Sequence, residues 1–364
     1  MFEHFITENI ASLEPYPPGK PIEEVERELG ITGVIKLASN ENPLGPSPRA
    51  VAAITAALPG LHRYPDASGH QLKQALAEHL DLDMTNIILG NGSDEIIELS
   101  IHAFLRPGEE VIISDPTFLF YSKVVQVAAG KLVQIPLKRF QHDLTGIRKA
   151  VGDNTRLIFL DNPNNPSGSL TPAEELRSFI ADLPKTTILV LDEAYRDFVR
   201  NAELIEPQEL IATDQPIIFM RTFSKAYGLA GLRIGYGIGH SELINYLDRV
   251  RQPFNVNSLA QIGAIAALED KDFYQKTRDT TWTGLDYIWS ELDKMGVIYH
   301  RCQTNYFLIE LDKPAREIVD QLIKKGIIVR SMESYGLKQA FRLTIGSAEE
   351  NERFIKTFQE VMGR

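Results

Sequence analysis

Between about residues 87 and 239 the chain alternates short, nearly unbroken apolar runs with helical patterns. "EVIISD", "KLVQIPL", "TRLIFLDNP", "TILVLDEAY" and "PIIFMRTFS" are among at least six such runs that end with "RIGYGIG". A strand with no polar face has to be covered on both sides, and helices that follow each strand supply the cover. The pattern therefore predicts an α/β fold: a three-layer large domain with a parallel or mostly parallel sheet. The intervening segments have helical periodicity. In "GSDEIIELSIHAFL", Ile97, Ile101, Phe104 and Leu105 recur at the spacing of one helix face. "TPAEELRSFIADL" reads as a helix with Thr171 as N-cap, Pro172 at N1 and Glu174 at N3.

The rhythm changes after "SELINYLDRVRQPF". One long helical stretch runs from "SLAQIGAIAALE" to "WSELDKMG", then come the strands "YFLIEL", "IIVRSM" and "FRLTIG" with the helix "PAREIVDQLIKKG" among them. A last helix opens on a capping box from Ser347 to Glu350. This reads as a smaller α+β domain. The expected division is an N-terminal arm over 1–35, a large cofactor-binding domain over 36–250 and a small domain over 251–364. The arm is proline-rich with a short charged helix at "IEEVERELG", and the following "LASNENPLGPSP" reads as an ordered loop.

The charge balance narrows the function classes. A formal charge of −11 argues against a general nucleic-acid or anionic-membrane binder. Any phosphate site must then rest on a few local cations and on backbone amides. The single cysteine, Cys302, excludes an intrachain disulfide framework and reads as an inert small residue beside a strand. The first residues show no basic, then apolar, leader pattern, and no apolar run approaches ~20 residues. A soluble cytoplasmic protein is the expectation. The histidines show no metal-ligand spacing, and "GYGIGH" fails the dinucleotide-binding pattern because His240 stands at the third glycine position.

In an open α/β sheet ligands bind beyond the carboxyl ends of the strands. "TILVLDEAY" delivers Asp192, Glu193 and Tyr195 there. "TRLIFLDNPNNPSG" delivers an Asn/Pro turn, "PIIFMRTFSKA" delivers Thr222, Ser224 and Lys225, and "NIILGNGSDE" delivers a Gly-rich turn into a helix. An amine near a carboxylate and a phenol suits pyridoxal 5′-phosphate. That cofactor needs an amine for its aldehyde, a carboxylate at its ring nitrogen, hydrogen-bond partners at its phenolic oxygen, and helix amides with an arginine at its phosphate. Lys225, Asp192, Tyr195 with Asn165, and "GNGSD" with Arg233 are the candidates in that order.

The order and spacing of "ASNENPLGPSP", "RYPDASGHQLKQAL", "GNGSDEIIEL", "DPTFLFY", "NPNNPSG", "DEAY", "RTFSKAYGLAGLRIGY", "IIVRSM" and "FRLTIG" resemble the fold-type I aminotransferases, and within them the histidinol-phosphate aminotransferase family, over essentially the whole chain. The resemblance implies an aspartate aminotransferase-like fold and a homodimer that shares its active sites. It implies that Lys225 binds the cofactor aldehyde and shuttles a proton between substrate Cα and cofactor C4′. Asp192 would pair with the ring nitrogen, and Tyr195 and Asn165 would hold the phenolic oxygen. Tyr121 looks like the residue that stacks on the ring. Ser93 and Asp94 main-chain groups, Thr222, Ser224 and Arg233 would cradle the phosphate, which Tyr64 would reach from the neighbouring subunit. Arg342 looks like the substrate-carboxylate arginine, and Arg330 and Tyr16 resemble the residues that favour histidinol phosphate. The family also suggests a cis Asn165-Pro166 bond.

Each residue alone has a plainer reading. Lys225 could be a solvated loop lysine, "GNGSD" a turn with an N-cap, and Tyr64 and Tyr121 core or interface aromatics. The arginines in apolar strands need either solvent or an anion. The expected reaction is transamination of L-histidinol phosphate with 2-oxoglutarate in histidine biosynthesis, with ping-pong kinetics. An aromatic amino-acid aminotransferase on the same scaffold is the near alternative, since a pocket that takes imidazole can take phenyl. A phosphothreonine decarboxylase, and a non-catalytic sensor that binds the cofactor, are the others. The sensor reading lacks an added basic DNA-binding module.

Overall fold

The computed structural model describes residues 2–15 and 19–363. Tyr16, named above as a substrate contact, lies outside the described residues. Among the described residues, twelve strands form two sheets. The first strand is β1 (Ile35–Leu37), followed by β2 (Ile87–Asn91), β3 (Glu110–Asp115), β4 (Lys131–Pro136), β5 (Thr155–Asp161) and β6 (Ile188–Asp192). Then come β7 (Ile217–Thr222), β8 (Ile234–Gly239), β9 (Ile298–His300), β10 (Tyr306–Glu310), β11 (Ile327–Ser331) and β12 (Ala340–Thr344).

The larger sheet has the order β2-β8-β7-β6-β5-β3-β4. Every neighbouring pair is parallel except those of β8, which runs against both β2 and β7. The apolar runs explain the three layers. Along β5, β6 and β7, Leu157, Phe159, Ile188, Val190, Ile218 and Met220 point into one core. The alternate residues Ile158, Leu160, Leu189, Leu191, Ile217 and Phe219 point into the other. The helices Ser93–Phe104 and Ser241–Val250 cover the first face through Ile96, Ile97, Ile244 and Leu247. The helices His70–Leu80, Ala173–Ala181 and Ser258–Glu269 cover the second through Leu72, Leu76, Leu176, Phe179 and Ala264. Each fully buried aliphatic side chain contributes about 1.5–3 kcal/mol, which is why neither face tolerates polar residues here.

The smaller sheet, β1-β11-β12-β10-β9, packs against the helices Lys271–Met295, Arg316–Lys324 and Ala348–Met362 around Phe307, Phe341, Phe354 and Phe358. Its edge strand β1 comes from early in the chain and pairs in parallel with β11 through Ile35 and Ile327. This brings the loop that follows β1 to the mouth of the larger sheet.

Several local expectations change. The helix expected to be capped by Thr171 starts at Ala173 with Pro172 as its N-cap and no side-chain cap. Thr171 is instead tied by both backbone groups to the Asn162 side chain, at 2.8 and 3.2 Å. The long helical stretch is two helices divided at Asp270. That residue accepts Phe273 N–H at 3.3 Å and the Ser47 hydroxyl at 2.5 Å, which starts the second helix and anchors it to the loop before residue 48. Among the described residues the cis X-Pro bonds are Asp115-Pro116 and Asn162-Pro163, not Asn165-Pro166. The Ser347–Glu350 capping box is present as expected.

Candidate active site

Because β2, β3, β5, β6 and β7 run the same way, their carboxyl ends share one edge of the sheet. β8 runs the other way, so its start, where Arg233 stands, is on that edge too. A cavity of about 210 Å³ opens there. Asp192 ends β6, Thr222 ends β7, Ser93 and Asp94 follow β2, and Asn165 follows β5; all line this cavity with Tyr195, Ser224, Lys225 and Arg233. The strand-end reading thus converges on one place.

The Ser93–Phe104 helix begins there with no side-chain cap, since Gly92 (φ +76°) is its N-cap. Its first amides are left for an external acceptor, the usual setting for anion binding at a helix start. Two glycines permit the close approach. A Cβ at Gly92 would lie 2.5 Å from Arg233 Nη2, and a Cβ at Gly235 would lie 2.5 Å from Ser93 N. Arg233 Nη2 donates to Asp94 Oδ2 at 3.2 Å and Nη1 to Ala230 O at 3.3 Å, while Thr222 Oγ1 accepts Ser224 N–H at 3.1 Å. Burial raises the Asp94 carboxyl, with Arg233 and Lys225 opposing.

Lys225 Nζ has one backbone contact, 3.3 Å to Ser39 O, and lies 5.8 Å from the Tyr195 ring centre. No carboxylate pairs with it among the described residues. Burial, aided by the Arg342 charge, pulls its amine down to about 8, which makes it a usable nucleophile and base near neutral pH.

Asp192 accepts the Ala194 N–H on Oδ1 at 2.9 Å and the Tyr121 hydroxyl on Oδ2 at 2.6 Å. Burial still pushes its carboxyl up to about 7, against the Tyr121 hydrogen bond. A cation placed against it would reverse that shift.

Tyr195, whose phenol is raised by burial, accepts Asn40 Nδ2–H at 2.8 Å. Asn40 in turn bonds Thr344 of β12 through its N–H and its Oδ1, both at 3.0 Å. Asn165 is held by its N–H on Asp161 Oδ2 at 2.7 Å and accepts Arg342 Nη1 at 2.6 Å.

Arg342 projects from β12. Its Nη2 donates to Ala38 O at 3.0 Å, it lies 4.8 Å over the Tyr306 ring, and its buried Nε has no partner. An unpaired buried guanidinium nitrogen is costly without an anion to meet it. Arg330 is its direct cross-strand partner, so both side chains leave the same face of the smaller sheet. The arm passes close by: a Cβ at Gly19 would lie 3.9 Å from Arg330 Nη1.

Four expected residues, Tyr64, Tyr121, Arg330 and Arg342, are not among those that line the cavity, although Arg342 reaches it through Asn165. Tyr121 does not line the cavity. It is fully enclosed, with its ring stacked on Phe159 at 5.0 Å, behind Asp192 rather than beside it. The aromatic of this segment on the cavity wall is Phe118, three residues earlier. The reason is local. The helix begins only at Phe120, so Phe118 lies in the turn before it and Tyr121 in its first turn, where it is enclosed. Tyr64 is 83% exposed and stacks on Phe254 at 4.8 Å, outside the cavity of its own chain. Ser39, Glu41, Phe118 and Asp161 line the cavity without having been singled out as site residues. Ser39 and Glu41 lie in "LASNENPLGPSP", whose density of Asn, Pro and Gly was the only signal available.

A doubly covered, mostly parallel sheet with a lysine, an aspartate and an open helix start on one edge defines a cofactor-binding transferase scaffold. The family model "Aminotransferase class I and II" matches residues 32–358, and the chain belongs to that family. It is 48% identical to a histidinol-phosphate aminotransferase of Desulfotalea psychrophila, over 98% of this chain and 95% of that protein. It is 43% identical to the same-named protein of Moorella thermoacetica, over 98% of this chain and 92% of that one. The solved histidinol-phosphate aminotransferase of Sinorhizobium meliloti, in complex with pyridoxal-5′-phosphate, superposes with a TM-score of 0.92 at 32% identity, over 98% of this chain and 97% of that one.

Proposed function

We propose that this chain is a pyridoxal 5′-phosphate-dependent aminotransferase of histidine biosynthesis. It would move the amino group of L-histidinol phosphate to 2-oxoglutarate, giving imidazole acetol phosphate and L-glutamate. The names of its relatives support the substrate. The observation that carries the chemistry is Lys225, an unpaired amine of lowered basicity in one cavity with Asp192, Asn165 and an uncapped helix start.

The residues fit the cofactor. The open amides of Ser93 and Asp94, with Thr222, Ser224 and Arg233, suit its phosphate. Asp192 suits a protonated ring nitrogen, Tyr195 and Asn165 suit the phenolic oxygen, and Phe118 offers a ring face. When bound, the cofactor supplies an aldehyde for amines and a protonated ring that takes up electrons. Lys225 Nζ acts as the base that removes and returns the proton at substrate Cα. Asn165, fixed by Asp161 and Arg342, orients Arg342 as well as the cofactor. Arg342 and Arg330 present two guanidinium groups side by side. These suit the phosphate of one substrate and the carboxylates of the other in turn, hence ping-pong kinetics.

A homodimer belongs to the same proposal. Tyr64 and Phe254 form an exposed aromatic pair, and Leu58 and Leu61, a few residues before Tyr64 in the chain, are exposed as well, the kind of surface a second copy covers. A cytoplasmic setting also belongs to it, and the buried free thiol of Cys302 is compatible with a reducing compartment. No helix among the described residues is long and apolar enough to cross a membrane.

The test is a single-turnover series. The cofactor-loaded protein is mixed with L-histidinol phosphate, L-phenylalanine or L-glutamate while the cofactor absorbance is followed. The proposal requires conversion by histidinol phosphate at a kcat/KM above that of phenylalanine. The reverse order would make this an aromatic aminotransferase, and absorbance without any half-reaction would make it a sensor.

A further inference from the structure

A tyrosine needed only to fill space would do as well without its hydroxyl, and burying a hydroxyl costs free energy unless it is bonded. Tyr121 has no exposed surface. Its ring is packed by Phe159 at 5.0 Å and by the edge of Phe118 at 5.6 Å. Its hydroxyl makes one hydrogen bond, a short 2.6 Å donation to Asp192 Oδ2. Phenylalanine would satisfy every other contact.

Asp192 has few other supports. The Ala194 N–H serves Oδ1, and no cationic side chain pairs with it among the described residues. Three other titratable groups face it. Asp161 is in direct register on the neighbouring strand and acts against the charge of Asp192, as does Asp94; Tyr195 lies on the same turn. Asp161 has donors of its own in Thr117 Oγ1, Asn164 Nδ2 and Asn165 N. Within this apolar, partly anionic setting the Tyr121 hydroxyl is, among the described residues, the only side-chain donor that favours the ionised form of Asp192.

We propose that Tyr121 is a positioning residue that acts through Asp192 on the ring nitrogen of the bound cofactor. By donating to Oδ2 it keeps the carboxylate ionised, so that the single proton between Asp192 and the ring nitrogen stays on the nitrogen. Without the hydroxyl the proton moves from nitrogen to the carboxyl oxygen, no other bond changes, and the ring loses its positive charge. The assignment rests on the cofactor reading above. It replaces a stacking role for Tyr121 with an electrostatic one.

The experiment uses the holoenzyme loaded with pyridoxal 5′-phosphate labelled with ¹⁵N in the ring. The ring nitrogen resonance is compared among wild type, Tyr121→Phe, and a protein carrying 4-aminophenylalanine at position 121, which keeps a weaker donor of similar size. The resonance moves from the pyridinium towards the neutral pyridine position in Tyr121→Phe and takes an intermediate place with the weaker donor. In parallel kcat falls about tenfold with KM nearly unchanged, as loss of one hydrogen bond to a charged group predicts. A resonance that stays at the wild-type position in the variants overturns the proposal, even if kcat falls. If Tyr121→Phe does not fold, the 4-aminophenylalanine protein decides alone by the same criterion. A wild-type protein that takes up no cofactor would sink the proposed function itself, an outcome separate from an unmoved resonance.

Discussion

Gly235→Ala tests the claim that the start of the Ser93–Phe104 helix is the phosphate cradle. Gly235 lies in β8 opposite Gly90 and Thr222, with no positive φ to forbid alanine. Only space opposes the change. The added Cβ would lie 2.5 Å from Ser93 N, 2.8 Å from Gly92 C and 2.9 Å from Arg221 O. Carbon contacts settle at about 3.5–4.0 Å, so the methyl intrudes by roughly 1 Å. All three neighbours are backbone and none can rotate away. Overpacking of this kind costs about 1–3 kcal/mol, and the most movable neighbour is the uncapped turn at Gly92 and Ser93. Displacing that turn weakens at least one amide bond to the phosphate. Such charged hydrogen bonds are worth about 1.5–3 kcal/mol, so cofactor affinity should drop about 10- to 100-fold. Gly237→Ala is the control. It lies on the same face of the same strand, but its Cβ meets only side-chain methyl groups, those of Ile88 and Ile96 at 3.0 and 3.1 Å and of Ile218 at 3.7 Å. Urea unfolding of both apo-proteins gives the stability cost, and absorbance titration with pyridoxal 5′-phosphate gives the affinity. If Gly235→Ala binds the cofactor as tightly as Gly237→Ala, the helix start does not hold the phosphate.

Other changes probe the remaining parts of the site. Arg342→Lys replaces a fork held by Asn165 and Ala38 with a point charge, and should lower kcat/KM for both substrates about 100-fold; steady-state kinetics that leave either substrate untouched would argue against a shared anion site. Tyr64→Phe removes an exposed hydroxyl, so stability should stay within about 0.5 kcal/mol while cofactor affinity falls about tenfold. An unchanged affinity would remove Tyr64 from the partner's site. For pH, the neutral form of Lys225 attacks the aldehyde, and its amine titrates at about 8. The rate of cofactor uptake by apo-protein should therefore rise as pH increases towards 8 and level off above it. A rate that keeps rising to about pH 10, as for an ordinary lysine, would contradict the lowered basicity.

The edge that carries the site could be read from the chain because strand ends follow from apolar runs. Asp192 and Thr222 each close a run, and Lys225 and Asn165 sit in the loops that must follow. Direction within helices and loops could not be read so. "DPTFLFY" offers three aromatics, and which one faces the cavity depends on where the helix starts after Pro116, a matter of backbone path rather than residue type. Thr171 looked like a cap because its neighbours fit the pattern, but the Asn162 side chain outcompetes the helix for its backbone. The pairing of β1 with β11 spans nearly the whole chain and leaves no periodic trace. It is nonetheless what brings Ser39 to Lys225 and Asn40 to Tyr195.

The central claim is that Lys225 forms the bond to the cofactor and moves the substrate proton. Lys225→Ala, loaded with pyridoxal 5′-phosphate and mixed with L-histidinol phosphate in a stopped-flow spectrophotometer, tests it most directly. The account predicts that cofactor still binds through the phosphate site but that amino transfer slows by at least about 1,000-fold, since both the nucleophile and the base are gone. A variant that completes the half-reaction at the wild-type rate would contradict the account.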